Sequence, residues 1–308
     1  MKKYDNYKDS GVEWIGEVPS HWDVIRLKYP FHILPSNIDK KSQDNEPEVQ
    51  LCNYVDVYKN SFITSKINFM SATASEVQIA KLSLKKGDVI ATKDSEDPHD
   101  IGIPALVKED LEGVVCGYHL TMMKLKDDKW NGDYLFWIMN SNGCQQYFAT
   151  EARGVTRYAV GTNAFNNLQL PSPTYLEQTL IANYLESKIS QIDTLIDKKE
   201  RLIQLLEEER AAIRNQAVTK GLDPNVPMKD SGIEWLGEVP EHWEVKKIKF
   251  VALLKSGENI TSESIKEEGE YPVYGGNGLR GYYSEFTNDG DYILIGRQGA
   301  LCGNIKYA

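Results

Sequence analysis

The chain has 308 residues, 41% hydrophobic and 26% charged, which suits a soluble globular protein of more than one domain. No apolar run approaches the roughly 20 residues that cross a bilayer. Met1-Lys2-Lys3-Tyr4-Asp5 has no apolar stretch behind it, so no secretory signal or membrane partner is expected and the expected location is cytoplasmic. Cys52, Cys116, Cys144 and Cys302 are widely spaced, with no Cys-x-x-Cys pair, and read as buried free thiols rather than metal ligands. A formal charge of −10 counts against phosphate binding, yet it is a global average. From Tyr134 to Pro173 the charged residues are Glu151, Arg153 and Arg157, a local balance of +1.

The segment Lys8-Asp-Ser-Gly-Val-Glu-Trp-Ile-Gly-Glu-Val-Pro-Ser-His-Trp22 opens the chain. Trp14, Ile15, Val18 and Trp22 can pin it to a core, while Gly16 and Pro19 set its turns. His21 lacks a neighbouring nucleophile or second base and reads as a packing histidine. Residues 31–170 then read as short strands with frequent turns. Val49–Val57, Asp88–Thr92 and Gly113–Met123 carry the β-branched and apolar residues of strands. The run Asp94, Glu96, Asp97, His99, Asp100 reads as a solvated loop around Pro98 rather than a metal site. Tyr134–Phe148 is helical in pattern, with Leu135, Ile138 and Met139 on one face and Gly132–Asp133 starting it. The expected fold class is α/β, a mixed α+β domain.

A cluster suited to DNA contact follows. Arg153 and Gly154-Val-Thr-Arg-Tyr158 combine Thr156, Arg157 and Tyr158 beside a flexible glycine, and Thr162, Asn163, Asn166 and Asn167 come next. Arg can fork onto guanine, Asn onto adenine, and Thr or Tyr onto phosphate. Lys93, just after the Lys86-Gly-Asp-Val-Ile-Ala strand, can face the same groove. Surface polar residues of these types are also often merely solvated.

At Leu170-Pro-Ser-Pro173 the character changes. Thr174-Tyr-Leu-Glu177 has capping-box spacing. Beyond it Leu185, Ile189, Ile192, Ile196, Ile203, Leu206, Ile213 and Ala217 step by threes, fours and sevens, with Lys199 and Arg210 filling the two skipped slots of the series. Leu195, Leu202 and Leu205 widen that stripe. Gly221 supplies a stop, and Pro224 and Pro227 prevent continuation. The pattern predicts one helix over 174–217, of coiled-coil type, whose stripe needs a long partner helix. A helical hairpin is the alternative, but no Gly or Pro interrupts the segment.

The opening motif then returns. Over 22 aligned positions, residues 8–29 and 229–250 share 14 identities at an offset of 221, too long for a solenoid repeat and suited to two copies of a domain. Asp289-Gly-Asp-Tyr-Ile-Leu echoes Lys86-Gly-Asp-Val-Ile-Ala at an offset of 203, so loops differ in length between shared elements. Gly275-Gly-Asn-Gly278 reads as a turn. Catalytic signatures are missing: there is no Gly-Lys dipeptide, hence no phosphate loop, and no Asn-Pro-Pro-aromatic loop of amino-methyltransferases.

Together, residues 9–22 and 230–243, Leu170-Pro-Ser-Pro-Thr-Tyr-Leu-Glu-Gln178 with its helix, and Tyr271-Pro-Val-Tyr-Gly-Gly-Asn-Gly278 with Ile295-Gly-Arg-Gln-Gly-Ala300 resemble the specificity subunit of type I restriction–modification systems. The resemblance implies a first target-recognition domain over 1–173, a spacer helix over 174–221 and the start of a second domain over 222–308. It implies a non-catalytic role, with each domain reading half of a split site in double-stranded DNA. Methylation subunits would dock on the helices and a restriction subunit would complete the complex. S-adenosylmethionine, ATP and Mg would belong to those partners, leaving this chain without a cofactor. The second domain looks truncated at Ala308, which would leave the 174–217 helix to pair with a second copy of itself. A stand-alone DNA-binding regulator is the alternative.

Overall fold

Alternation along three central strands builds the first unit. Val89, Ala91, Leu106 and Met123 enter one apolar core, while Ile90, Ala105, Val107, Leu120 and Met122 enter another. Period two places successive side chains on opposite faces, so this sheet is buried on both. The computed structural model describes residues 4–275, 278–297 and 302–308. Its contacts divide the chain into two units, 1–205 and 206–308, with the boundary inside the long helix.

In the first unit the five-stranded sheet runs in the order Phe31–Pro35, Leu120–Leu125, Val89–Thr92, Pro104–Val107, Phe62–Ile63. A three-stranded sheet (Val114–Cys116, Glu48–Cys52, Met70–Thr73) shares the second core with it. The helices are α1 (Tyr54–Lys59), α2 (Glu76–Leu82), α3 (Gly132–Met139), α4 (Asn142–Glu151), α5 (Thr162–Asn167) and α6 (Tyr175–Lys220). Phe136, Phe148 and Phe165 bring α3, α4 and α5 into the first core. The mixed α/β architecture followed by one long helix matches the expectation.

Three local expectations need correction. The strand expected over Val49–Val57 ends at Cys52, because Asn53 accepts from Val55 N (3.0 Å) and Asp56 from Asn53 N (2.8 Å), and this capping box turns the chain into α1. The strand expected over Gly113–Met123 is two strands, parted at Gly117–His119, where His119 takes φ +70°. The helix expected over Tyr134–Phe148 is α3 and α4, divided where Ser141 caps the second by accepting from Cys144 N at 3.3 Å. Cys52, Cys116 and Cys144 are buried free thiols as expected, but Cys302 is exposed.

The opening motif folds as a hairpin, Tyr7–Asp9 against Glu17–Pro19, with Val18 buried and Trp14 packed on the first core. Asp23–Arg26 pairs antiparallel with Gln169–Ser172, joining the start of the unit to the strand that leads into α6. Glu177 is the knot. Its Oε1 accepts from His21 Nε2 (2.9 Å), Trp22 Nε1 (3.2 Å) and Tyr4 Oη (3.2 Å), and its Oε2 accepts from Thr174 N (3.1 Å) and Oγ1 (2.8 Å). The capping box is therefore formed, and His21 has the structural role expected of it.

Helix α6 runs 46 residues without a break, about 69 Å at 1.5 Å per residue. Its first turns are held down: Gln178 is buried and accepts from Asn131 N at 2.9 Å, and Lys108 bridges Asp133 (3.0 Å) and Glu186 (2.9 Å). Gly221, at φ +78°, ends it as expected. Leu185 is half-buried, whereas Ile189, Ile192, Ile196, Ile203, Leu206 and Ile213 are exposed. Among the described residues no helix is long and apolar enough to cross a membrane.

In the second unit the hairpin Met228–Asp230 with Glu238–Pro240 repeats the first, and Pro240 and Trp243 lie against Gly221. Strands Tyr271–Gly275 and Gly278–Tyr283 pair, as do Ile293–Ile295 and Ile305–Tyr307. Gly290 holds φ +104° where its counterpart Gly87 holds +88°, in keeping with the shared Gly-Asp element. The expected turn at Gly276–Asn277 and the last part of the Ile295–Ala300 motif, 298–300, lie outside the described residues.

Burial alone would raise the Glu177 carboxyl, but hydrogen bonds from His21, Thr174 and Trp22 outweigh it and hold the group down at about 2 from an ordinary 4.5. A depressed carboxyl stabilises the fold above its unfolded value and loses that contribution as pH falls through the folded one. The difference in thermal midpoint between the wild type and Glu177→Gln should be full above pH 4.5 and close to nothing by pH 2. Paired melts across that range check it; a difference independent of pH would mean that the charge on Glu177 carries no stability.

Candidate nucleic-acid interface

Most of the residues singled out for DNA contact meet in one small sheet. Arg153–Gly154 pairs with Tyr158–Ala159, which pairs with Asp94–Ser95. The hairpin closes tightly because Gly154 has no side chain: at φ +150°, a Cβ there would meet the Arg157 carbonyl and lie 2.9 Å from Tyr158 Cα. Val155 and Thr156 at the tip are exposed. Val160 N donates to Lys93 O at 2.9 Å and Lys93 N to His119 O at 3.0 Å, which lock the hairpin and the 93–95 strand to the central frame.

Arg157 is not a free surface cation. Its Nε (3.0 Å) and Nη2 (2.6 Å) both donate to Asp94 Oδ1, and His119 Nδ1 stands 2.6 Å from the same oxygen. His119 Nδ1 also stands 3.2 Å from Arg157 Nη2, so the three side chains form one cluster. Asp94 is only 8% exposed, while about half of the Arg157 side chain faces water. With Nε and Nη2 turned to Asp94, Nη1 is left without a hydrogen-bond partner among the described residues. Among the described residues, His119 is the one non-glycine with positive φ, a conformation that costs energy and persists only where the surroundings impose it.

The remaining candidates differ in their surroundings. Lys93 Nζ donates to the Ser36 carbonyl at 2.7 Å and lies 4.8 Å from the centre of the Tyr118 ring; burial lowers its pKa, partly countered by Asp94. Arg153 is exposed on the outer strand and Tyr158 half-buried on the middle one. Asn163 is exposed in the first turn of α5, beyond the sheet rather than in it.

Asp94, Ser95, Tyr54, Tyr58, Asp97 and Asp100 line an open depression with Arg157 on its wall. The Tyr54 and Tyr58 rings stack with centroids 5.6 Å apart and 14° between planes. Tyr54 Oη donates to Ser95 Oγ (3.3 Å) and Tyr58 Oη to Asp100 (3.1 Å). The acidic run expected to be a solvated loop is thus corrected at Asp94, which is buried as the anchor of Arg157. Sequence reasoning missed Asp94, His119, Tyr54 and Tyr58 as parts of this site. The i, i+4 spacing of the two tyrosines was the available signal, hidden because 49–57 reads as a strand. A carboxylate-lined depression repels phosphate.

The family model described as type I restriction modification DNA specificity domain matches residues 19–207 and 240–308. The type I restriction enzyme MjaVIII specificity subunit of Methanocaldococcus jannaschii is 25% identical over 268 residues, covering 87% of this chain and 57% of that protein. The type I restriction enzyme EcoprrI specificity subunit of Escherichia coli is 45% identical over 65 residues, 20% of this chain and 16% of that protein. The chain thus spans little more than half the length of the longer of these matches. A solved chain from work described as "Structural basis underlying complex assembly and conformational transition of the type I R-M system" shares the fold, with a TM-score of 0.51 at 15% identity over 70% of this chain and 49% of that one. With two matched segments that account for most of its length, the chain belongs to the type I restriction modification DNA specificity domain family.

Proposed function

We propose that this chain is a DNA sequence-reading subunit of a type I restriction–modification complex, acting in the cytoplasm on double-stranded DNA. Residues 1–173 form the target-recognition domain for one half of the site, and 222–308 contribute to the second. Catalysis belongs to partners: methylation subunits carrying S-adenosylmethionine, and a restriction subunit using ATP and Mg. The observation that carries the reading is the Arg157 guanidinium, fixed by the buried Asp94 carboxylate at the root of an exposed hairpin. An arginine whose direction is set in advance can fork onto guanine O6 and N7 without first being ordered. Arg153, Thr156, Tyr158 and Asn163 flank it, and Lys93 acts from beneath by fixing the strand that carries Asp94.

Replacing Arg157 by Ala should relax the recognised sequence at one base pair, at a cost of about 1–3 kcal/mol. Asp94→Asn should relax the same position, since it frees the guanidinium. Genome-wide mapping of methylated sites reads both; an evenly weakened modification of an unchanged sequence would make Arg157 a phosphate contact.

The stripe on α6 serves pairing and docking. Leu185, Ile189, Ile192, Ile196, Ile203, Leu206 and Ile213 fall on one side of the helix, and all but Leu185 are exposed in the chain alone. Each such side chain gains about 1.5–3 kcal/mol when fully covered, so a long helical partner, either another copy or a methylation subunit, is favoured. Ile192→Asp with Ile196→Asp would bury two unpaired charges in that contact. Light scattering should show the variant failing to assemble with itself and with methylation subunits, while its thermal midpoint stays near wild type. Unchanged assembly would move the docking surface elsewhere.

A further inference from the structure

The two copies of the opening motif agree hydrogen bond for hydrogen bond. Ser10 N donates to Gly16 O as Ser231 N does to Gly237 O, both at 3.0 Å. Ser20 N to Asn6 O (3.0 Å) matches Glu241 N to Pro227 O (2.8 Å), and Trp22 N to Pro19 O (2.9 Å) matches Trp243 N to Pro240 O (2.8 Å). The hairpin registers coincide after the 221-residue shift, Tyr7 facing Pro19 as Met228 faces Pro240. The agreement extends to the side chains: His21 and Trp22 have centroids 6.4 Å apart at 81°, and His242 and Trp243 have theirs 6.3 Å apart at 84°.

In the first copy those rings have a purpose, since His21 Nε2 and Trp22 Nε1 converge on Glu177 Oε1. In the second copy, among the described residues, no group accepts from the His242 or Trp243 ring, and the adjacent Glu244 is engaged by Lys246 at 2.7 Å. Glu177 itself is unavailable to them, because five donors already occupy its two oxygens. The backbone of the second motif therefore holds two ring donors in the arrangement that binds a carboxylate, with no carboxylate on them.

We propose that His242 and Trp243 form a second, preformed receptor for the glutamate of a capped helix start. The ligand is a helix N-terminus with an N-cap threonine and a glutamate three residues later, carried by another polypeptide segment. Both donors are N–H groups and need an acceptor, and in the first copy that acceptor is a carboxylate oxygen. The helix start is required because Thr174 holds one oxygen of Glu177 and leaves the other turned to the rings. The second receptor lacks one donor: the position equivalent to Tyr4 is Asn225, whose side chain bonds to Asp223. It therefore binds through two contacts where the first uses three.

The test titrates the full chain with a blocked synthetic peptide of residues 171–188, Pro-Ser-Pro-Thr-Tyr-Leu-Glu-Gln onward, by isothermal calorimetry. One peptide should bind per chain. A peptide carrying Glu177→Gln should bind about tenfold more weakly, having lost its charge, as should a chain carrying Trp243→Phe or His242→Phe, each having lost an N–H donor to a charged group. Trp243→Phe keeps a ring against Gly221, and its circular dichroism should match the wild type. The chain with Ile192→Asp and Ile196→Asp should bind the peptide as the wild type does. Absence of binding, binding indifferent to the glutamate and to His242 and Trp243, or binding lost only in the Ile192→Asp, Ile196→Asp chain would each overturn the proposal, the last by placing the peptide on the helix stripe.

Discussion

A carboxylate has lone pairs on two oxygens and no proton of its own, so it can gather donors from several segments at once. Glu177 does this for the first unit. Donors from Tyr4, His21, Trp22 and Thr174 converge on it, and through them the N-terminal segment, the opening hairpin and the start of α6 become one object. The first turns of the long helix are thereby held to the domain, while its stripe from Ile189 onward stays exposed. Were Glu177 unable to hold its charge, the strand pairing of Asp23–Arg26 with Gln169–Ser172 would be the principal tie left between the start of the unit and the approach to the helix.

The same device operates at the recognition hairpin. Asp94 is buried and receives Arg157 and His119 on one oxygen. A buried ion pair is weak evidence for stability, since desolvation offsets much of the attraction. Its value here is directional, because it orients a long, otherwise mobile cation at the edge of a rigid sheet. Frame and hairpin thus divide the work. The doubly buried sheet supplies rigidity, and the residues we propose to carry specificity stand on a short hairpin joined to it through residues 93–95.

The sequence made long-range organisation legible and short-range turns less so. The repeat, the capping box at Thr174–Glu177 and the uninterrupted apolar stripe are periodic or self-similar signals, and each corresponds to an element of the structure. Tyr54 and Tyr58 were hidden because a capping box at Asn53 overrides a segment whose composition favours a strand. In the sequence His119 reads as part of a strand, since nothing in Gly117-Tyr-His announces a left-handed turn at a non-glycine. Asp94 was invisible for a different reason. In the acidic run of 94–100 its neighbours face the open depression, and only the pairing of Tyr158–Ala159 with Asp94–Ser95 brings Arg157 to it from 63 positions away. Contacts of that separation leave no local trace.

We infer that the first unit reads DNA sequence on its own frame. Grafting residues 31–170 into a related specificity subunit, and mapping methylated sites across a genome, tests it most directly. One half of the recognised sequence should change to that of the donor and the other half stay as it was. A recognised sequence that does not change, in a graft that still supports methylation, would contradict it.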